Sequence, residues 1–266
     1  MTKNIYQYFS GKIHLKAESF LKGTLTGWFI SVLAIAYKQD IFNGKDLQEA
    51  YNESSLQKHF DTIKDIFQNQ EHFLDKVKAL DQYAEQNSGL VDIKELLMDL
   101  LLFNFYKTNP FLDNAHFIER DEWQKIEGSI EDRGTPMIDL FFYLSLKNDE
   151  ESSLEDFLEN FLMINEAEFE EERERYEEII SRRTLPEQEP SLTMTEGRKL
   201  QSTPPEELPF FPIMLFFNGA STYSEKWEFI KEPEMLHPVN MSGFLALLAG
   251  HYGLNSFPHK WQWLNP

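Results

Sequence analysis

Residues 24–37, TLTGWFISVLAIAY, form the most apolar run of the chain and lie between Lys22 and Lys38. Three readings compete for them: a membrane-spanning helix, the core of a signal peptide, or a buried helix of a folded body. Fourteen uncharged residues are too few for a spanning helix, which needs ~20 at a 1.5 Å rise per residue. Ala34-Ile-Ala36 imitates a small-x-small cleavage site, but a 23-residue leader containing Glu18 precedes the run. Leu21, Leu25, Trp28, Phe29, Val32 and Ala36 recur at helical spacing, and Lys22, Thr26 and Lys38 punctuate the other side. The spacing therefore predicts a core helix over residues 16–38, with a membrane tether through 24–37 as an alternative. Gly23 and Gly27, four apart, would let a second helix approach closely.

Outward from that helix, residues 1–183 read as a helical body. A stripe of Leu56, Phe60, Ile63, Ile66 and Phe67 leads towards Tyr83, with a break near Asn69. Asp92 and Glu95 have the spacing of a capping box before the apolar run Leu96–Phe105. Asn109-Pro110 ends that run, Pro136 starts the aromatic segment MIDLFFYLSL, and Ser152 with Glu155 suggests another capped helix. The expected core includes Trp28, Phe29, Val32, Leu97, Leu101, Phe157 and Phe161. Residues 184–208 mix Pro, Ser, Thr and charge without periodicity and read as an exposed linker or long loop. Residues 209–266 read as a smaller aromatic-rich segment, α+β or irregular, packed on the body. Within it FFPIMLFF is a candidate strand paired with Trp227–Ile230, and Ser242 a cap for a short helix stopped by Gly250. The fold class is mainly α.

Composition narrows function. The 266 residues include 45 acidic and 25 basic side chains, a net charge of −20, with 23 Phe and no cysteine. Thiolate metal sites, disulfides and cysteine nucleophiles are excluded, and a reducing compartment, the cytoplasm, is expected. Residues 151–200 carry fifteen acidic side chains against six basic ones. Such a surface repels nucleic acid and anionic lipid and attracts a basic protein. The helix pattern of 166–183 places Glu168, Glu170, Glu171, Glu174 and Glu178 as a candidate acidic docking face. Tyr252, Trp261 and Trp263 form a candidate aromatic contact surface at the other end.

Catalytic signatures are sparse. Glu234-x-x-His237 and His116-x-x-Glu119 have the spacing of metal-ligand pairs on one helical face, but one isolated pair of each kind falls short of the four-helix di-metal pattern. His251 and His259 sit among aromatic residues with no accompanying nucleophile motif, and no phosphate-binding glycine loop is present. No cofactor is expected. The reading that follows is a non-catalytic interaction protein (an inhibitor, immunity-type protein, adaptor or assembly subunit) that binds a basic partner. An enzyme with a carboxylate or histidine site is the alternative.

Overall fold

The computed structural model describes residues 13–37, 56–69, 72–108, 119–147, 210–218 and 222–253, with Ser153, Asp156, Phe157, Ser191, Leu192 and Thr195 besides. The run that begins the sequence argument lies in α1, Ile13–Tyr37, a single 25-residue helix. From Phe20 to Ser31 every residue is buried except the half-buried Lys22. A helix apolar on nearly all sides needs neighbours on all sides. Its principal neighbour comes from the far end of the chain, the helix Pro238–Tyr252, whose residues 238–250 are all buried. Pro238 opens that helix at a position where its missing N–H costs nothing, and Gly253, at φ +80°, follows its end.

The two helices run antiparallel in close contact. A Cβ on Gly23 would stand 2.4 Å from the Leu245 carbonyl oxygen and 2.8 Å from the Ala246 Cα. One on Gly27 would stand 2.4 Å from the Met241 oxygen and 2.5 Å from the Ser242 Cα. The obstacles are main-chain atoms, which cannot rotate away. The glycine pair thus meets the approaching helix that its spacing predicts. Buried Thr24 and Ser31 donate back to the Phe20 and Trp28 carbonyl oxygens at 2.9 and 2.7 Å, so neither hydroxyl is stranded. Among the described residues no helix is long and apolar enough to cross a membrane.

Around this pair the remaining elements follow in chain order: α2 (Leu56–Gln68), α3 (Phe73–Gln86), a 3-10 segment (Ser88–Ile93), α4 (Lys94–Thr108), α5 (Asp121–Ile130) and α6 (Met137–Leu146). Then come α7 (Phe210–Phe216), the single turn α8 (Tyr223–Lys226), two short 3-10 turns, and the helix already described, α9. Helix α4 packs against α1, α3 and α6, and α7 against α9. Phe20, Phe103 and Phe141 bring α1, α4 and α6 to one point, their ring centroids 4.5–6.2 Å apart. All three rings have zero exposure, and complete burial of such a side chain stabilises by ~1.5–3 kcal/mol.

The protein is mainly α-helical, and no strand occurs among the described residues. Trp28, Phe29, Leu97, Leu101 and Phe157 are core residues as expected. Phe161 lies outside the described residues. Val32 is not core: it is 36% exposed beside Ile35, 60% exposed, because α9 covers α1 along the Phe20–Gly27 side and not around this end. The expected strand Phe210–Phe217 is helix α7, and Trp227–Ile230 lies in the turns after α8. A short run of apolar residues has no period to separate the two conformations. Ser242 does not cap a helix but is buried inside α9, and Gly250 does not stop that helix. Gly250 faces the Phe20 ring with no room for a Cβ.

One predicted cap also differs. Glu95 does not close a capping box with Asp92, because the chain enters α4 through the 3-10 segment and Glu95 is engaged by Arg133 and Gly134. Ser152 and Glu155 lie outside the described residues, and a reciprocal side-chain-to-backbone pair is formed by their neighbours Ser153 and Asp156. Asp156 N donates to Ser153 Oγ at 3.0 Å, and Ser153 N donates to Asp156 Oδ2 at 3.2 Å.

Candidate functional site

Polar side chains with structural consequences gather where the turn after α5 meets α3 and α4. The sequence Asp132-Arg-Gly-Thr-Pro136 reverses the chain between α5 and α6, and Gly134 adopts φ +89°, a conformation that costs any L side chain strain. A side chain at 134 is excluded on a second ground: its Cβ would lie 2.4 Å from Asp99 Oδ1. With the turn so fixed, Arg133 reaches back across two helices. Its Nη1 and Nη2 donate to Asp81 of α3, both at 2.9 Å, in a bidentate fork. The same guanidinium donates to Glu95 of α4 at 3.2 Å through Nη2 and 3.4 Å through Nε. Lys94 stands 3.6 Å from Asp81 and adds a second positive charge. Burial works against the Arg133 charge, but the bonds from Asp81 and Glu95 outweigh it and raise the pKa further.

One step further in, the turn is tied to α4 by its own backbone. Gly134 N donates to Glu95 Oε2 at 3.0 Å, and Thr135 N donates to Asp99 Oδ1 at 2.8 Å. The Thr135 hydroxyl forms a short hydrogen bond with Asp99 Oδ2 and accepts from Met137 N at 3.2 Å. Asp99 thereby holds the entrance of α6 from a neighbouring helix. Its residue is completely buried. Burial pushes its carboxyl well above the ordinary aspartate range, the two Thr135 bonds pull the other way, and the nearby Asp139 and Glu95 push it up again. The arrangement is a structural clamp, partly exposed at Asp81, Lys94, Glu95 and Arg133, around the buried Asp99 carboxyl.

A second polar contact lies between α1, α2 and α3. His59 Nδ1 is 2.7 Å from the Tyr83 hydroxyl, and its ring meets Trp28 edge-on at 5.2 Å. Burial, and secondarily Lys58, lowers the His59 pKa, which keeps the imidazole neutral at physiological pH. With 6% of its surface exposed, His59 serves packing between helices rather than solution chemistry.

The clamp positions α5, whose outward side is acidic. Glu119, Asp121, Glu122, Glu127, Glu131 and Asp132 are exposed, against two exposed cations, Arg120 and Lys125. Trp123 and Ile126 anchor the inward side, with Trp123 5.5 Å from the Tyr106 ring and nearly parallel to Phe105. The acidic face has a signal in the sequence, six carboxylates in fourteen residues. The run at 166–178 is denser still in acidic residues. Asp99 also left a signal, as the only charged residue within Leu96–Phe105.

The residues singled out from sequence fall as follows. Glu168, Glu170, Glu171, Glu174 and Glu178 lie outside the described residues, as do His116, His259, Trp261 and Trp263. Tyr252 ends α9, 38% exposed, with its ring 4.6 Å from His251 and 6.4 Å from Phe216. Glu119 is exposed at the start of the α5 face, and His237 is exposed at the N-cap of α9. Glu234 lies in the 3-10 turn Pro233–Leu236. Among the described residues no group of three or more His, Asp or Glu side chains is arranged to hold a metal ion. Comparison with protein-family models, with curated proteins and with solved structures finds no match to this chain.

Proposed function

We propose that this protein is a non-catalytic interaction protein of the cytoplasm that binds a basic protein partner through acidic surface. The observation that supports this reading is the acidic segment 119–132: six exposed carboxylates, three on α5 and three flanking it, with the inward side of the helix anchored by Trp123 and Ile126 and the turn after it held by Arg133. Charge carried on a segment whose backbone is already held loses less conformational freedom on binding, so more of the electrostatic attraction survives as affinity. The glutamates at 168–178 would extend the same acidic character. Inhibitor, adaptor and assembly subunit all remain within this class.

Association of this kind depends on long-range charge. The screening length falls from ~30 Å at 0.01 M salt to ~10 Å at 0.1 M, so encounter with a basic partner should slow steeply over that range. The test uses the tagged full-length chain beside the Glu122→Gln, Glu127→Gln, Glu131→Gln triple variant. Both are incubated with native lysate at low salt and eluted by a salt step. Stoichiometric recovery of a basic protein by the parent, reduced several-fold for the variant, supports the reading. Recovery that is the same for both chains and indifferent to salt refutes it.

A further inference from the structure

Asp99 is a carboxyl with no exposure at all, and its hydrogen bonds run to one residue, Thr135. Among the described residues no Lys or Arg pairs with it. From α4 itself Glu95 faces it, and from α6 Asp139 does, both like-charged. Arg133, in the same turn as Thr135, is divided between Asp81 of α3 and Glu95. On α1, Lys16 donates to the Leu144 carbonyl oxygen, Glu18 pairs with Lys64, and Lys22 lies over the Phe60 ring. On α2, Lys58, Asp61 and Asp65 point to solvent, as does Asp92 of the 3-10 segment.

We propose that the Arg133–Thr135 turn is a pH-dependent latch, closed on α4 when Asp99 carries a proton and loosened when Asp99 ionises. With the proton on Oδ2, the carboxyl donates to Thr135 Oγ1 while Oδ1 still accepts from Thr135 N, and no charge is added beside Glu95 and Asp139. Loss of the proton to solvent leaves a negative charge on a completely buried carboxyl, with Glu95 and Asp139 of like sign nearby. Two Thr135 donors offset part of that cost, and burial with two like charges exceeds them. Lifting the turn away admits water to Asp99 and relieves the repulsion.

The sign follows from linkage. In the closed state the proton is held above the ordinary carboxyl range, and in the opened state Asp99 returns to that range, ~3.9. Closure is therefore strongest in acid and weakens as pH rises through the interval between the two values, up to tenfold per pH unit. The latch operates in the isolated chain, whether or not α5 meets a partner. What it would regulate is the attachment of the acidic α5 face to the body.

The experiment is hydrogen exchange on the full-length chain, following the amides of Gly134 and Thr135 from pH 5 to 8 and dividing by intrinsic exchange rates. The expected result is protection that falls with pH by up to tenfold per unit, while amides of α9 keep theirs. The variant Asp99→Asn can accept from Thr135 N through Oδ1 and donate to Thr135 Oγ1 through Nδ2, so its protection should not vary with pH. Flat protection in the parent, or an equal slope in Asp99→Asn, overturns the proposal. If Asp99→Asn does not fold, Asp139→Asn decides. Removing one like charge should end the fall at lower pH and leave more protection at pH 8, whereas an unchanged profile overturns the latch.

Discussion

Replacing Gly27 by alanine should loosen the central helix pair, and the size of the effect can be worked from the contact. The new Cβ would lie 2.5 Å from the Ser242 Cα and 2.6 Å from the Met241 carbonyl carbon. Carbon atoms attract best at ~3.5–4.0 Å, so the two backbones must part by about 1 Å at this point. A gap of 0.5–1 Å forfeits a quarter to a half of each dispersion contact along the seam. Overpacking of this kind costs ~1–3 kcal/mol, and the upper end applies because main chain opposes main chain. Alanine's better helix propensity returns ~1 kcal/mol. The net loss is about 2 kcal/mol, or roughly 4–8 °C in Tm for a chain near this size. Thermal and urea melts followed by circular dichroism would read it. Gly128→Ala is the control, since that glycine is on α5 with nothing within 4 Å of its added Cβ. It should stabilise by up to ~1 kcal/mol. The double variant Gly23→Ala, Gly27→Ala should lose less than the sum of its parts, because one separation of the helices relieves both contacts. If Gly27→Ala melts at or above the parent, the close approach is not what the glycines are for.

Arg133→Met should cost about 2–4 kcal/mol in urea melts, since it leaves Asp81 and Glu95 facing each other without the shared cation. Arg133→Lys should recover only part of this, because a lysine cannot reproduce the fork. Gly134→Ala should destabilise by at least ~2 kcal/mol, from the positive φ and from the overlap with Asp99 together. A melt within 1 °C of the parent would contradict the described turn. His59 contributes the opposite pH dependence to Asp99. Its folded pKa is lowered, so its contribution is whole above the ordinary value of ~6.5 and declines as pH falls through it. In His59→Gln that part of the acid sensitivity should vanish from the curve of stability against pH, and its persistence unchanged would count against the assignment.

How much of this was legible depends on the period each segment carries. Leu56 to Phe67 has a clear stripe and is a helix with the predicted end near Asn69. Pro136 stands directly before its helix because proline acts locally, through its own φ and missing donor, while Asn109-Pro110, after the Thr108 end of α4, lies outside the described residues. Phe210–Phe217 was misread because uniformly apolar segments carry no phase, and a helix buried on every side erases the one signal that sequence offers. Ser242 and Gly250 were misread for a related reason: each looks like punctuation, and each is small because another helix passes close by. The clamp was opaque in a different way. Asp81, Glu95, Asp99 and Arg133 are separated along the chain, and only tertiary packing brings the fork to its carboxylates. The acidic α5 face was readable from composition, yet nothing in its spacing separates a docking surface from the wet side of a helix.

The pairing of α1 with α9 also sets a timetable. Gly27 waits for Met241 and Gly23 for Leu245, so α1 leaves the ribosome more than 200 residues before its main partner. At ~5–20 residues per second, the interval is on the order of tens of seconds. Throughout it, the apolar side of α1 must rest on α2 and α4, on a chaperone, or on nothing. A pairing of such high sequence separation also pays loop-closure entropy before its contacts return anything, which slows folding. The nascent chain, more than the finished one, is where this architecture is exposed to aggregation.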